Sequence, residues 1–138
     1  STLIDPNAGA LCAARETIAQ LEGVAQSACV VLSGAADRAM VSCYSSVGQI
    51  ALHRFERSAL CTATSWRLLH LGGFFNCVGL HTIGLLDFLQ ALRAKGTLIS
   101  LDPQHDASGQ WSADGHLHRL LPLIDVVLPN EVEAIGIG

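Results

Sequence analysis

Charge is scarce in this chain. Only 14% of its 138 residues are Asp, Glu, Lys or Arg, and the 8 basic residues form no run that could follow a phosphate backbone or an anionic membrane surface. With 12 acidic residues the formal net charge is −4 at pH 7, which argues against nucleic acid and membrane as partners. Long apolar runs are also missing: none approaches the roughly 20 residues of a membrane-spanning helix. No basic n-region with a cleavage site opens the chain, so a soluble, cytoplasmic protein is expected. The five cysteines, Cys12, Cys29, Cys43, Cys61 and Cys77, are odd in number and show no Cys-x-x-Cys spacing. Neither a disulfide framework nor a zinc site is expected, and buried reduced thiols are the simpler reading. No Gly-x-Gly-x-x-Gly turn follows the first strand, which sets a dinucleotide-binding domain well behind other readings.

What the chain has in quantity is apolar side chain. Hydrophobic residues make up 50% of it, too many for a disordered segment and enough for one domain with a real core. So much apolar content with so little charge also suits a piece of a larger core.

Hydrophobic spacing divides this content into elements. Leu11, Ala14, Ile18 and Leu21 recur at intervals of three and four before Gly23, predicting an amphipathic helix. Ala28 to Leu32 and Ala39 to Tyr44, joined by Ser33-Gly34-Ala35-Ala36-Asp37, predict a β-hairpin. Periodicity is weak from Gln49 to Ser65, where loop and part of a helix are expected. Trp66 to Leu71 reads as a strand ending at Gly72-Gly73. From Leu80 to Lys95 a helix should bury Ile83, Leu86, Leu89 and Leu92, flanked by Leu85 and Phe88, and stop at Gly96. Two apolar runs, Leu98–Leu101 and Ile124–Leu128, read as buried strands separated by a shorter helix, and a last helix follows Pro129.

The order helix, strand, helix, strand, helix builds right-handed crossovers in a parallel sheet. Both strands then point the same way, so Asp102-Pro103-Gln104 and Pro129-Asn130-Glu131-Val132-Glu133 should leave the sheet at one carboxyl edge, where open α/β sheets bind ligands. The fold class expected is α/β.

The set HLGGFF at 70–75, SLDPQ at 100–104 and DVVLPNEVEA at 125–134 resembles the middle of a ribokinase-like (PfkB family) carbohydrate kinase. The resemblance implies a partial ribokinase-like fold over residues 1–138, a parallel sheet with flanking helices plus a β-hairpin lid segment at about 24–46. It also implies ATP and Mg2+ as cofactors and a small-molecule sugar as substrate. Asp102, Gln104, Asn130 and Glu133 would lie at the nucleotide, with Asn130 and Glu133 organising magnesium. Arg38, Gly72 and Gly73 would lie on the substrate side. In that family the lid often mediates dimerisation, which makes a homodimer an expectation as well.

The chain departs from the family in places. Ser45-Ser46-Val47-Gly48 stands where a glycine-rich continuation is usual. Gln104 stands where Asn is frequent, and Asp106 where some sugar-acid kinases carry a phosphate-binding Arg, so that role is not transferred. Gly34-Ala35-Ala36-Asp37 is not the family's Gly-Ala-Gly-Asp anion hole, because a β-type run follows it and its amides would not converge on an anion. The catalytic base is expected beyond Gly138, and the chain alone is expected to be inactive.

Plainer readings compete at each position. Asn-x-x-Glu also spells a capping box, and Asp-Pro is ordinary turn chemistry. Gly72-Gly73 serves a tight turn as readily as a ligand. Glu131 reads as a first-turn acid favoured by the helix dipole. His105, His116 and His118 read as surface histidines lacking a third ligand, and His70 as a satisfied core histidine. As a function, a sugar kinase present as an incomplete chain stands first; a short homologue acting as a binding or dimerising module is the alternative.

Overall fold

The computed structural model of the protein describes residues 21–56 and 66–138. The helix expected before Gly23 therefore lies outside the described residues, as does part of the stretch from Gln49 to Ser65.

The first two strands, β1 (Ala28–Ser33) and β2 (Arg38–Cys43), form the expected hairpin, paired antiparallel from Ala28↔Cys43 to Ser33↔Arg38. Its loop closes because the Gly34 amide donates to the Asp37 carbonyl at 2.8 Å. A Cβ at Gly34 would stand only 2.8 Å from that same oxygen, so the closure needs glycine. The hairpin is pinned at its base: the Ser27 amide donates to Ser46 Oγ at 2.8 Å, and the Val47 amide donates to Ser27 Oγ at 2.9 Å. Beyond that base its apolar side chains are unburied: Val30, Val31, Leu32, Met40 and Val41 are each more than half exposed.

The chain continues through a 3-10 turn (Val47–Gln49) and a short helix, α1 (Leu52–Glu56). It re-enters the described part at β3 (Leu68–Gly72). Two further 3-10 turns, Phe74–Asn76 and Val78–Leu80, lead into α2 (Ile83–Ala94). Then follow β4 (Leu98–Asp102), α3 (His116–Leu120), β5 (Val126–Val127) and α4 (Glu131–Ile137). The second sheet has the order β3-β4-β5, and both of its pairs are parallel. The protein is thus mixed α/β, with a three-stranded parallel sheet and a two-stranded antiparallel hairpin.

The core lies on one face of the parallel sheet. Ile99 and Leu101 of β4 meet Leu85 and Leu89 of α2, Leu117 and Leu120 of α3, and Phe74, Phe75 and Leu80 from the turns after β3. Each such side chain removed from water contributes about 1.5–3 kcal/mol before chain entropy is counted. As expected, α2 ends at Gly96. Gly96 takes φ +86°, its amide donates to the Arg93 carbonyl at 2.8 Å, and the Thr97 amide donates to Leu92 at 3.1 Å. This is a Schellman motif, which favours a residue without Cβ at that step.

Three expectations need correction. The helix starts at Ile83 rather than Leu80, because Val78–Leu80 is consumed by a 3-10 turn. Its buried stripe is Leu85, Leu89 and Leu92, with Ile83 63% exposed, so the face is rotated from the one read off the spacing. The strand expected over Ile124–Leu128 pairs only at Val126 and Val127, and both are exposed. At its start the Asp125 amide donates to the Ile99 carbonyl at 2.8 Å, while the Ile99 amide turns to the Asp125 carboxylate at 2.8 Å, which also accepts from Arg93 at 2.8 Å. The second sheet face is bare among the described residues, with Leu68, Leu98, Val126 and Leu128 about half exposed.

Candidate ligand site at the carboxyl edge

The parallel register fixes what leaves the sheet together. Gly72 pairs with Asp102, the Gly73 amide donates to the Asp102 carbonyl at 3.0 Å, and the Phe75 amide donates to the Pro103 carbonyl at 3.1 Å. On the other side the Leu128 amide donates to the Leu101 carbonyl at 2.8 Å, immediately before Pro129. The exits at Gly72-Gly73, Asp102-Pro103-Gln104 and Pro129-Asn130 therefore occupy one edge on three adjacent strands, with β4 in the middle. Neighbouring strands lie about 4.8 Å apart, so the outer two exits are separated by roughly 10 Å.

At Gly73 the backbone is left-handed, φ +70°, as the start of the turn Phe74–Asn76 requires. A Cβ there would meet only ordinary contacts, Gln104 Cγ at 3.8 Å being the nearest. Conformation rather than crowding asks for glycine. Asp102 is half-buried, and its carboxylate accepts from the Gln104 amide and from Gln104 Nε2, both at 3.1 Å. This turn holds Gln104 at φ +59°. The turn role of Asp102 is therefore present, and each carboxylate oxygen keeps a free lone pair.

Asn130 and Glu133 form the capping box of α4. The Glu133 amide donates to Asn130 Oδ1 at 3.0 Å and the Asn130 amide to Glu133 Oε2 at 3.0 Å. Asn130 Nδ2 adds a bond to Glu133 Oε1 at 2.7 Å. Glu133 is only 4% exposed whereas Asn130 is exposed. Both Glu133 oxygens carry one hydrogen bond, which leaves capacity for a hard cation or its water. Among the described residues, no three His, Cys, Asp or Glu side chains come together as a group that could hold a metal ion.

Arg38 stands on none of the strands or turns that form this edge. It opens β2 in the separate hairpin, opposite Ser33, and its amide donates to Asp37 Oδ1 at 2.7 Å. Among the described residues its side chain makes no hydrogen bond to the three exits.

Two features escaped the sequence reading. His70 is not a core histidine: it is exposed on the bare face, where Nδ1 lies 2.8 Å from Ser100 Oγ on the adjacent strand. Positions 70 and 100 share a face only through the register, which the sequence pattern does not carry. The second feature is the loop after Gln104. Buried Asp106 accepts the Ser108 amide at 2.9 Å, the Ser108 hydroxyl at 2.8 Å and the Trp111 amide at 2.6 Å. Desolvation raises its carboxyl, yet these bonds prevail and hold it below the usual carboxylate range. Asp-x-Ser is an Asx-turn signature that could have been found. The bonded loop sets Trp111 edge-on against Phe75 and His105, at ring separations of 5.7 and 5.6 Å.

Electrostatically the edge is acidic. Asp102 closes β4 at this edge, and Glu131 and Glu133 stand in the first turn of α4. A bare polyphosphate would meet like charge there, whereas a cation or a cation-complexed ligand would not.

Compared with protein-family models, with curated proteins and with solved structures, the chain matches none of them.

Proposed function

We propose that this chain forms the nucleotide-and-magnesium edge of an ATP-dependent sugar kinase of the ribokinase-like kind, the parent protein transferring the γ-phosphate of ATP to a sugar hydroxyl. The observation that carries the reading is the convergence of three parallel strand exits, which brings Gly72-Gly73, Asp102-Gln104 and Asn130-Glu133 to one rim. Phosphoryl transfer asks chiefly for positioning and charge neutralisation. Asp102, Asn130 and Glu133 supply hard oxygen groups that fit magnesium, and the ion, when bound, would offset the negative charge that the acidic edge and a polyphosphate share. Binding of ATP through this edge is then strictly magnesium-dependent.

Isothermal titration of the 138-residue chain with ATP, with magnesium and with EDTA, tests this. Binding with magnesium that disappears with EDTA supports the reading; binding unaffected by EDTA, or none in either condition, overturns it. Sugar turnover by this chain alone in a coupled assay would overturn the assignment of the catalytic base to a segment outside it.

The alternative of a binding or dimerising module rests on a different observation, the hairpin whose apolar side chains are exposed on both strands. It predicts a concentration-dependent dimer by analytical ultracentrifugation, lost on Val31→Lys, and no response to magnesium–ATP.

A further inference from the structure

We propose that Asp114-Gly115 is a site of spontaneous covalent modification, at which the aspartyl residue converts to isoaspartate, and that the left-handed turn holding it gates the conversion. The inference draws on the loop between β4 and α3 alone and stands whether or not the kinase reading does.

The backbone singles out this dipeptide. Among the described residues, the non-glycine positions with positive φ are Gln104, Trp111, Ala113 and Asp114, and the last three crowd together just before α3. Ala113 at φ 47°, Asp114 at φ 54° and Gly115 at φ 80° form one left-handed turn. In it the Gly115 amide donates to the Ser112 carbonyl and the His116 amide to the Ala113 carbonyl, both at 3.0 Å. The Leu117 amide also donates to the Ser112 carbonyl, at 3.2 Å, and from there α3 carries Leu117 and Leu120 into the core. Left-handed backbone is costly for a residue with a Cβ, so the turn is held by its surroundings rather than by its own preference. Those surroundings are the Asp106 carboxylate, which gathers the Ser108 and Trp111 amides, and the Trp111 ring lodged between Phe75 and Gly136.

The chemistry selects the reaction. Asp114 is exposed and is the only aspartate in the sequence followed by glycine, so no side chain hinders approach of the Gly115 nitrogen to Asp114 Cγ. Bonding of that nitrogen to Cγ expels the carboxyl hydroxyl, with the amide hydrogen, as water and closes a five-membered imide. Water then opens the ring. Addition at the main-chain carbonyl of Asp114 breaks its bond to nitrogen and leaves the chain running through Cγ, whereas addition at Cγ restores aspartate. Water is the only co-reactant, and the mass of the chain is unchanged. In the folded turn the Gly115 amide is engaged with Ser112, so the nitrogen becomes available only when the turn opens. The product carries one extra backbone carbon, which breaks the spacing of the Ser112 bonds and loosens the start of α3.

The test follows the 138-residue chain incubated warm near neutral pH. Isoaspartate is counted with an isoaspartate-specific methyltransferase and located by fragmentation mass spectrometry. The expected result is accumulation at residue 114 of the folded chain, slower than in the urea-unfolded chain and absent from Asp114→Gly. Ala113→Gly removes the conformational cost and steadies the turn, so it should slow the folded rate. Asp106→Asn loosens the loop and should raise that rate about tenfold, the size of one lost hydrogen bond to a charged group. Should Asp106→Asn fail to fold, the comparison of Ala113→Gly with wild type still decides. No isoaspartate at residue 114 of the folded chain overturns the site. Equal rates in the folded, the urea-unfolded and the Ala113→Gly chains overturn the gate.

Discussion

Glu133 and Asn130 hold each other at three points: amide to side chain in both directions at 3.0 Å, and Nδ2 to carboxylate at 2.7 Å. The box both starts α4 and keeps a buried carboxylate beside the rim. Asn130→Ala is expected to cost about 1 kcal/mol in urea unfolding, as lost N-caps do. Glu133→Ala should cost about 1–3 kcal/mol, because it strips partners from two donors in a part-buried place. Glu133→Gln separates structure from ligand chemistry, since Gln also completes a capping box. It keeps the box but sets an amide NH2 against one Asn130 donor, so it should lose less stability than Glu133→Ala while binding magnesium–ATP as weakly as that variant, and unchanged binding would reduce Glu133 to a cap.

Trp111 lies so close to α4 that Gly136 has no room for a side chain. A Cβ there would fall 2.5 Å from Cδ2 and Cε2 of the indole. Gly136→Ala should displace Trp111, change its fluorescence, and destabilise the protein by roughly 1–3 kcal/mol, the usual range for overpacking. An unaltered emission spectrum would show that the loop does not rest on the helix.

Gly79 and Gly48 form a matched contrast between neighbouring turns. A Cβ at Gly79 would run into the backbone carbonyl of Ile50, whereas one at Gly48 would meet nothing within 4 Å. Gly79→Ala must part the two 3-10 turns and should cost more than about 2 kcal/mol. Gly48→Ala should change stability by less than about 1 kcal/mol, with gain as the expected sign through reduced unfolded-chain entropy. Equal melting temperatures for the two variants would contradict the close packing of the turns.

Asp106 sets a pH dependence. Its folded carboxyl is held below the ordinary value, so the folded state binds its proton less readily than the unfolded chain. The stabilisation is complete above the unfolded value and disappears as pH falls through the depressed folded one. Asp125 is lowered as well, first by the Ile99 amide and further by Arg93, and its share is lost in the same direction. Trp111 emission is expected to report loosening of the loop under acid, below the usual carboxylate range. In Asp106→Asn the loop should already be loosened at neutral pH and its acid transition reduced; a transition identical to wild type would acquit Asp106.

Much of this was legible because it depends on local chemistry. Gly96 could be read as a helix end since a Schellman step needs positive φ, and Asn130-x-x-Glu133 as a cap since donor and acceptor are three residues apart. The hairpin was equally visible in two β-prone runs around a Gly-Asp turn. The face of α2 was not. Ile83 and Leu85 are equally apolar, and only the position of β4 decided that Leu85 faces the core. Nor could the exposure of His70 be read, because a histidine in an apolar strand looks the same whether the face it shares with Ser100 is covered or bare.

Periodicity, caps and turn residues thus established the elements and their order, since those follow from forces acting within a few residues along the chain. Register did the rest. Pairing Gly72 with Asp102, and Leu101 with Val127, brings distant prolines, acids and amides to one rim, and that choice belongs to packing between residues about 30 apart, which no local pattern encodes.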